Sequence, residues 1–266
     1  MHYNEGMVIK FLTERFNDGL SYSAINSARS ALSTFLVHEY GLTIGNSSLV
    51  KRFMKGVFEL RPPKPRYKSI WDVNIVLNYL SVFYPLEGLS LNCLTYKLCM
   101  LLALTTMQRA QTIHAIRITN IFIGKDLVMI PIDKLLKQSN QRNYKFSLQL
   151  KFYDNLSICV ARTLIHYLEI TKGIRGDEQQ LFISVQKPHK AVSKESISRW
   201  IRVVMEEAGI DTDTYKSHST RAAASSAAKR ENYPIDSILE MAGWSNNRTF
   251  KRFYDKVILT GTYETM

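Results

Sequence analysis

The sequence predicts a mainly α-helical protein with a small antiparallel β-sheet, divided into two domains. Apolar residues recur at helical spacing through most of the chain. The region 121–150 instead alternates or runs apolar, as β-strands do. A proline-rich segment near residue 63 separates the first helices from everything that follows. The predicted order is therefore helices, a domain boundary, further helices, a small sheet and a final group of helices.

Three helices are predicted before the boundary. Residues 7–16 form an amphipathic helix that ends before Gly19, and Ser21 or Ser23 caps the next helix. A third helix begins near Ser47. These helices predict a small all-helical domain over residues 1–62.

The segment 61–68 contains three prolines in four residues, which cannot continue a helix and hold the chain extended. We therefore predict a linker at 63–68 and a larger domain at 69–266. Half of the residues in 61–68 are basic. The linker either lies along a phosphate backbone or is a solvated connection; the candidate DNA contacts in it are Lys64, Arg66 and Lys68.

The larger domain is predicted to begin with two helices, at 69–84 and 91–106. The predicted strands are 121–123, 127–132 and 144–150, the last of them after a polar turn at 138–143. The helices predicted after the sheet are 156–171, 193–208, 220–230, 235–242 and 249–254.

The chain is strongly basic, with 35 basic and 23 acidic residues, a formal charge of +12 and a pI near 9.5. Such a surface favours polyanions, of which nucleic acid is the commonest, although ribosomal and membrane-surface proteins are equally basic. Three cysteines match no disulfide framework or zinc pattern, so we expect reduced thiols in an intracellular protein without a metal site. The most apolar stretch, 98–106, is too short to span a bilayer, and the polar residues 1–6 predict no signal peptide.

The densest group of candidate functional residues lies near the C-terminus. His218 and Arg221 are three residues apart at a predicted helix start, which places both side chains on one face. A helix N-terminus also offers N–H groups that favour an anion, so a phosphate fits there. Alternatively, His218 is a polar contact at the helix end and Arg221 is a solvated charge.

Two more cations are candidates for the same chemistry. Arg109 follows an apolar helix, where its planar guanidinium suits either a phosphate or a structural carboxylate. Lys137 ends the second predicted strand, close to Lys134 and Arg142. It either belongs to a solvated hairpin tip or reaches into a DNA groove and delivers a proton to a leaving oxygen.

The chain carries in order Arg109, Lys137 on a β-hairpin, His218, Arg221, Gly243-Trp244 and Tyr254. This order and spacing resemble the tyrosine recombinase (phage integrase) superfamily over residues 67–256. The segment 19–32 resembles the core-binding domain of that family. The amino-acid sequences of 19–32 and 243–254 are most similar to those of the recombinases of eukaryotic DIRS-like retrotransposons. Crypton-like elements come second.

The sequence departs from the family pattern at two positions. The family usually has its tyrosine nine residues after the tryptophan or histidine, where this chain has Phe253, and Tyr254 stands one residue later. Thr112 stands where members often carry a carboxylate. Tyr254 is alternatively a core aromatic residue beside Phe250 and Phe253.

The resemblance implies that Tyr254 attacks a backbone phosphorus, forming a 3′-phosphotyrosyl link and releasing a 5′-hydroxyl without metal, nucleotide triphosphate or other cofactor. It implies that Arg109 and Arg221 hold the nonbridging oxygens and that Lys137 protonates the leaving oxygen.

By the same resemblance, His218 assists proton movement at the tyrosine, and Trp244 packs or hydrogen-bonds where many relatives have histidine. A recombinase-fold protein that binds DNA without turnover is the alternative, and type IB topoisomerases use related chemistry.

The resemblance also implies a C-shaped clamp around double-stranded DNA and self-association on it, from dimer to tetramer. The short tail 255–266 either docks on a neighbouring copy or is a truncated end. A eukaryotic mobile element implies a nuclear protein that contacts no membrane. The predicted helix 193–208 contacts DNA or is a solvated face; the remaining candidate DNA contacts are Lys134, Arg142, Lys194, Arg199 and Arg202.

Overall fold

In a computed structural model, residues 4–36, 43–64, 66–133, 146–244 and 247–259 are described. The chain separates into two compact units, Met1–Arg66 and Tyr67–Met266. Each unit has its own cluster of buried apolar residues. Within the described ranges, no helix combines the length and the apolar character needed to cross a membrane.

The first unit contains three α-helices: α1 (Glu5–Asn17), α2 (Tyr22–Phe35) and α3 (Ser48–Leu60). Asn4, Ser21 and Ser47 cap them, each side chain accepting a hydrogen bond from an N–H of the first turn. Of the two serines considered for the second helix, Ser21 is therefore the cap. The buried core of this unit consists of Val8, Leu12, Ile25, Ile44, Val50, Met54 and Val57.

The second unit is built around α5, a helix that is buried on almost every side. The elements of the unit are β1 (Ser69–Trp71), α4 (Val73–Ser81), α5 (Leu91–Thr106), α6 (Ala110–His114), β2 (Phe122–Ile123), β3 (Leu127–Ile132), β4 (Phe146–Lys151), α7 (Val160–Lys172), α8 (Lys194–Glu207), α9 (Ser219–Arg230), α10 (Ile235–Ala242), α11 (Asn247–Phe253) and β5 (Val257–Leu259). Helices α7, α8 and α9 all pack against α5. This enclosure explains the nearly continuous apolar sequence of α5, because a helix buried all round needs no polar face.

The predicted fold class is confirmed. Strands β2, β3 and β4 form an antiparallel sheet in that order, with Met129 of β3 opposite Phe122 on one side and Gln149 on the other. Alternate residues such as Val128 and Ile130 point into the core and are fully buried, as period-two alternation requires. Helices make up most of the remaining described structure.

One sequence-based expectation about the second unit is wrong. Residues 69–71 form strand β1 instead of starting a helix, and α4 begins after Asp72, whose carboxylate caps it by accepting from the N–H of Asn74. At the other end of the unit, strand β5 pairs in parallel with β1 of the same chain, Ile258 lying opposite Ile70. The two strands are far apart in sequence, so local patterns do not reveal their pairing.

A lysine in α5 has an unexpected structural role. The Lys97 side chain is fully buried, and its Nζ donates to the carbonyl of Leu80 at 3.0 Å and also to that of Phe83. Burial lowers the pKa of Lys97 to about 8. The ammonium group thereby supplies a buried donor to carbonyls at and just after the C-terminal end of α4, in addition to the N–H of Phe83, which donates to the carbonyl of Leu80 at 3.2 Å.

We expect Lys97→Met to lower the free energy of unfolding by about 1–3 kcal/mol, because two carbonyls lose their buried donor. Urea denaturation measures the change, and Lys172→Met, at an exposed lysine at the end of α7, is the matched control. Equal stabilities of the two variants would contradict a capping role for Lys97.

Candidate active site

Helix α9 carries the centre of the site and is held deep in the second unit by its small side chains. Residues 222–227, all alanine or serine, are buried and allow neighbouring elements to approach closely. At its N-terminal end, the indole N–H of Trp71 donates to the hydroxyl of Ser219 at 2.9 Å, with both side chains fully buried. His218 is the N-cap residue of α9 and is exposed.

Arg221 is a buried cation, with 1% of its surface exposed, so the alternative of a solvated charge is wrong. Its Nη2 donates to the carbonyl of Ala242 at 2.5 Å. Its Nε and Nη1 have no hydrogen-bond partner among the described residues. Leaving buried donors unpaired is costly, so this guanidinium is suited to an anion that supplies acceptors.

The electrostatics of Arg221 point to the same conclusion. Burial, followed by the positive charge of Arg109, lowers the pKa of Arg221 to about 9, while the nearby Tyr254 hydroxyl acts in the opposite direction. Two cations that destabilise each other in this way are both stabilised when a phosphate binds between them.

The end of α5 positions Arg109. Met107 ends that helix with a left-handed φ of 53°, an unfavourable conformation for a residue with a side chain. The next residue, Gln108, is buried, and its Nε2 donates to the carbonyl of Met241 at 2.6 Å. Arg109 is then the N-cap residue of α6. The turn is therefore tied to the end of α10, close to the partner of Arg221.

Arg109, His218 and Arg221 share one cavity of about 370 Å³. The residues that line it are Gln108, Arg109, Ala110, Gln111, Lys194, Glu195, Ser198, Ile201, Ser217, His218, Thr220 and Arg221. Gln108, Gln111 and Ser198 were missed by the sequence analysis; polar residues next to a candidate arginine are a signal too common to single them out.

Tyr254 lies against this group of cations. Its hydroxyl is 3.5 Å from Nε2 of His218, a long contact of the kind that tightens in a substrate complex. Its ring centroid is 5.5 Å from Cζ of Arg221. Phe253, in contrast, is 41% exposed and stacks with Arg252. The backbone thus directs Tyr254, and not Phe253, towards the arginine, although Tyr254 also packs on the edge of the core.

Trp244 lies against both Arg221 and Tyr254. Its ring centroid is 4.4 Å from that of Tyr254, and Cζ of Arg221 lies 4.5 Å from the tryptophan ring. Gly243 precedes it and ends α10 with a φ of 66°, which glycine adopts without strain. The indole nitrogen is buried and lacks a hydrogen-bond partner within the described part of the chain.

The structure brings together five of the predicted catalytic residues: Arg109, His218, Arg221, Trp244 and Tyr254. Lys137 lies outside the described residues, as do the candidate DNA contacts Lys134 and Arg142. The other candidate DNA contacts are exposed: Lys64, Arg66, Lys68, Lys194, Arg199 and Arg202.

Among the DNA-contact candidates, Lys194 on α8 also lines the cavity. Arg202, on the same helix, forms an exposed ion pair with Asp213 at 3.8 Å, a contact that contributes little to stability. Over the described ranges, no group of His, Cys, Asp and Glu is arranged to hold a metal ion.

The fold is that of the tyrosine recombinases. Residues 87–257, more than half of the chain, match the model of the phage integrase family. The chain therefore belongs to the phage integrase family. No curated protein shows a significant match to the sequence.

Solved structures of low sequence identity share the fold. The XerH site-specific recombinase in a post-cleavage complex with palindromic difH substrate is 15% identical with a TM-score of 0.59, over 93% of this chain and 67% of that one. The Tn1549 transposon integrase with circular intermediate DNA is 11% identical with a TM-score of 0.59, over 98% and 83%.

A lambda integrase dimer bound to a COC′ core site is 13% identical with a TM-score of 0.54, over 96% of this chain and 65% of that one. The chain thus spans about two thirds of the length of the XerH and lambda integrase chains.

Proposed function

We propose that this chain is a site-specific DNA recombinase that cleaves and rejoins DNA strands through a covalent 3′-phosphotyrosyl intermediate on Tyr254. The observation that carries the proposal is the buried guanidinium of Arg221, whose Nε and Nη1 lack partners among the described residues. This guanidinium is a preformed anion site. It contacts the half-buried Tyr254, whose hydroxyl lies next to His218.

In the proposed cleavage step, the Tyr254 oxygen forms a bond to phosphorus and the bond from phosphorus to the 5′-oxygen breaks. The phenolic proton leaves towards His218, whose Nε2 lies 3.5 Å from the hydroxyl oxygen. The 5′-oxygen takes up a proton, which we assign to Lys137 as general acid. Rejoining is the reverse reaction, with a 5′-hydroxyl attacking the phosphotyrosine. One phosphodiester replaces another, so the reaction consumes no nucleotide triphosphate.

Charge accumulates on the nonbridging oxygens of the transition state, and Arg109 and Arg221 are the groups we assign to them. Donors that are already fixed before the reaction stabilise such charge without reorganisation. Trp244 supports this arrangement, since its ring contacts both Arg221 and Tyr254. Its indole N–H, which has no partner among the described residues, is a further donor for the phosphate.

The substrate we propose is double-stranded DNA, bound by copies of the chain that associate from dimer to tetramer. Support comes from the DNA complexes of similar fold, which include a lambda integrase tetramer bound to a Holliday junction and the Tn1549 transposon integrase. With the sequence resemblance to DIRS-like and Crypton-like recombinases, this favours integration or excision of a mobile element, in the nucleus of a eukaryotic host.

The test is covalent capture of DNA. The protein is incubated with a pool of duplexes that have a randomised core and a single nick, so that cleavage releases a short fragment and traps the enzyme. We expect an adduct that resists denaturant, whose DNA reveals the target site and whose modified peptide contains Tyr254. If DNA is bound specifically but no adduct forms on the selected site, the chain is a DNA-binding protein with a recombinase fold.

DNA affinity should depend on salt through the exposed cations of α8. We expect Arg199→Ala to weaken binding to all sequences alike and to reduce the slope of log K against log salt concentration by about 0.9, the value for one lost phosphate contact. Fluorescence anisotropy over a salt series measures the slope. Lys172→Ala, which removes an exposed cation from α7, should leave the slope unchanged. An unchanged slope for Arg199→Ala would show that Arg199 makes no phosphate contact.

A further inference from the structure

A buried serine holds the peptide that follows Tyr254. The Ser226 hydroxyl donates to the carbonyl of Tyr254 at 2.6 Å and accepts from the N–H of Lys256 at 3.0 Å. Ser226 itself is 3% exposed. A single side chain of α9 thus uses both its donor and its acceptor on the backbone at the end of α11.

A second contact reinforces the same connection. Lys229, three residues after Ser226 and therefore on the same face of α9, forms an ion pair with Asp255 at 2.5 Å. Strand β5 then continues the chain and pairs with β1. The residues just after Tyr254 are consequently fixed to the helix that carries Arg221 and His218.

This connection matters because it fixes the backbone at Tyr254, whereas the contacts with Trp244 and Arg221 hold the tyrosine ring. Helix α11 has seven residues, of which Phe250 is the one described as buried. The Tyr254 hydroxyl lies at the end of a long side chain, so a small rotation of its backbone moves the hydroxyl by a larger distance. A nucleophile displaced by about 1 Å from its attack position can lose about 10² in rate.

We propose that Ser226 is a positioning residue for the nucleophile: it fixes the Tyr254 peptide to α9 and so sets the distance between the tyrosine oxygen and a phosphate held by Arg221. The proposal rests on the proposed recombinase function. Ser226 takes no part in proton transfer, because both of its hydrogen bonds are to backbone groups.

The neighbouring Ser225 provides a matched control. It is fully buried, and its hydroxyl donates to the carbonyl of Arg221 at 2.8 Å, inside its own helix. Ser225→Ala therefore removes a buried serine hydroxyl of α9 without touching the Tyr254 peptide. Ser226→Thr retains a hydroxyl at the proposed position and serves as the rescue variant.

The experiment measures single-turnover adduct formation on the DNA selected by covalent capture, together with DNA affinity and thermal unfolding. We expect Ser226→Ala to slow adduct formation about 10²-fold with unchanged affinity, and to stay folded at the assay temperature, as Ser225→Ala does. Ser226→Thr should recover most of the rate. A substrate with sulfur in place of the bridging 5′-oxygen, whose leaving group needs no proton, should not rescue Ser226→Ala.

Three results would overturn the proposal. Equal rates for Ser226→Ala and Ser225→Ala would leave Ser226 as a merely structural contact while the proposed function stands. Rescue by the sulfur substrate would place the defect in leaving-group protonation. A wild-type protein that forms no adduct with any DNA would remove the proposed function and the positioning role together.

Discussion

Tyr254→Phe is expected to abolish covalent capture of DNA while leaving the fold and the DNA affinity intact. The substitution removes one oxygen and keeps the ring, whose centroid lies 4.4 Å from that of Trp244. Loss of a covalent nucleophile costs on the order of 10⁶ in rate in another covalent enzyme, subtilisin, so we expect no detectable adduct. Denaturing electrophoresis of the trapped complex is the measurement, with anisotropy as the check on DNA binding.

Phe253 provides an internal control for this prediction, because the usual family spacing would place the tyrosine there. Phe253→Leu should retain adduct formation, since that side chain is 41% exposed and contacts Arg252 instead of the cavity. The double variant Phe253→Tyr with Tyr254→Phe should remain inactive. Adduct formation by the double variant would show that the chain can use the family spacing and that the geometry of α11 is not decisive.

The sequence predicted those parts of the fold that are specified locally. The helix ending at Thr106 and the strand Leu127–Ile132 have the predicted bounds, because continuous apolar burial and period-two alternation are visible in short windows. The serine cap at a helix start is equally local, as Ser21 shows.

Non-local features could not be predicted in this way. The pairing of β1 with β5 depends on strands from opposite ends of the second unit. The buried Lys97 carries a charge that composition assigns to the surface, and only the carbonyls of Leu80 and Phe83 account for its place in the core. In both cases the structure depends on a partner that comes close only after folding, and a short stretch of sequence does not identify that partner.

The candidate site shows the same division. His218 and Arg221 were recognisable because their spacing at a helix start has a direct meaning, and the pair Gly243-Trp244 because it belongs to the family resemblance. Ser226 was not recognisable. It belongs to a run of alanine and serine whose members look alike in sequence, and the contact of its hydroxyl with Tyr254 appears only after folding.

Arg221→Lys is expected to slow adduct formation by about 10²–10³, equivalent to about 3–4 kcal/mol for a lost transition-state contact. An ammonium group beside a bound phosphate is positively charged, as the guanidinium is, so the result separates charge from geometry. A guanidinium offers donors in a fixed plane that can bond two phosphate oxygens, whereas an ammonium is a compact point charge. In this site Nη2 is already committed to the carbonyl of Ala242, which leaves Nε and Nη1 for the phosphate.

Single-turnover kinetics measure that loss, and Arg230→Lys is the control on the same helix. Arg230 pairs with Asp72 at 3.4 Å and its side chain is 37% exposed, so the conservative change there should cost little. A rate for Arg221→Lys within tenfold of wild type would mean that charge alone stabilises the transition state. A slower rate would show that the buried, planar donors of Arg221 stabilise the transition state, because wild type and Arg221→Lys carry the same formal charge beside the phosphate.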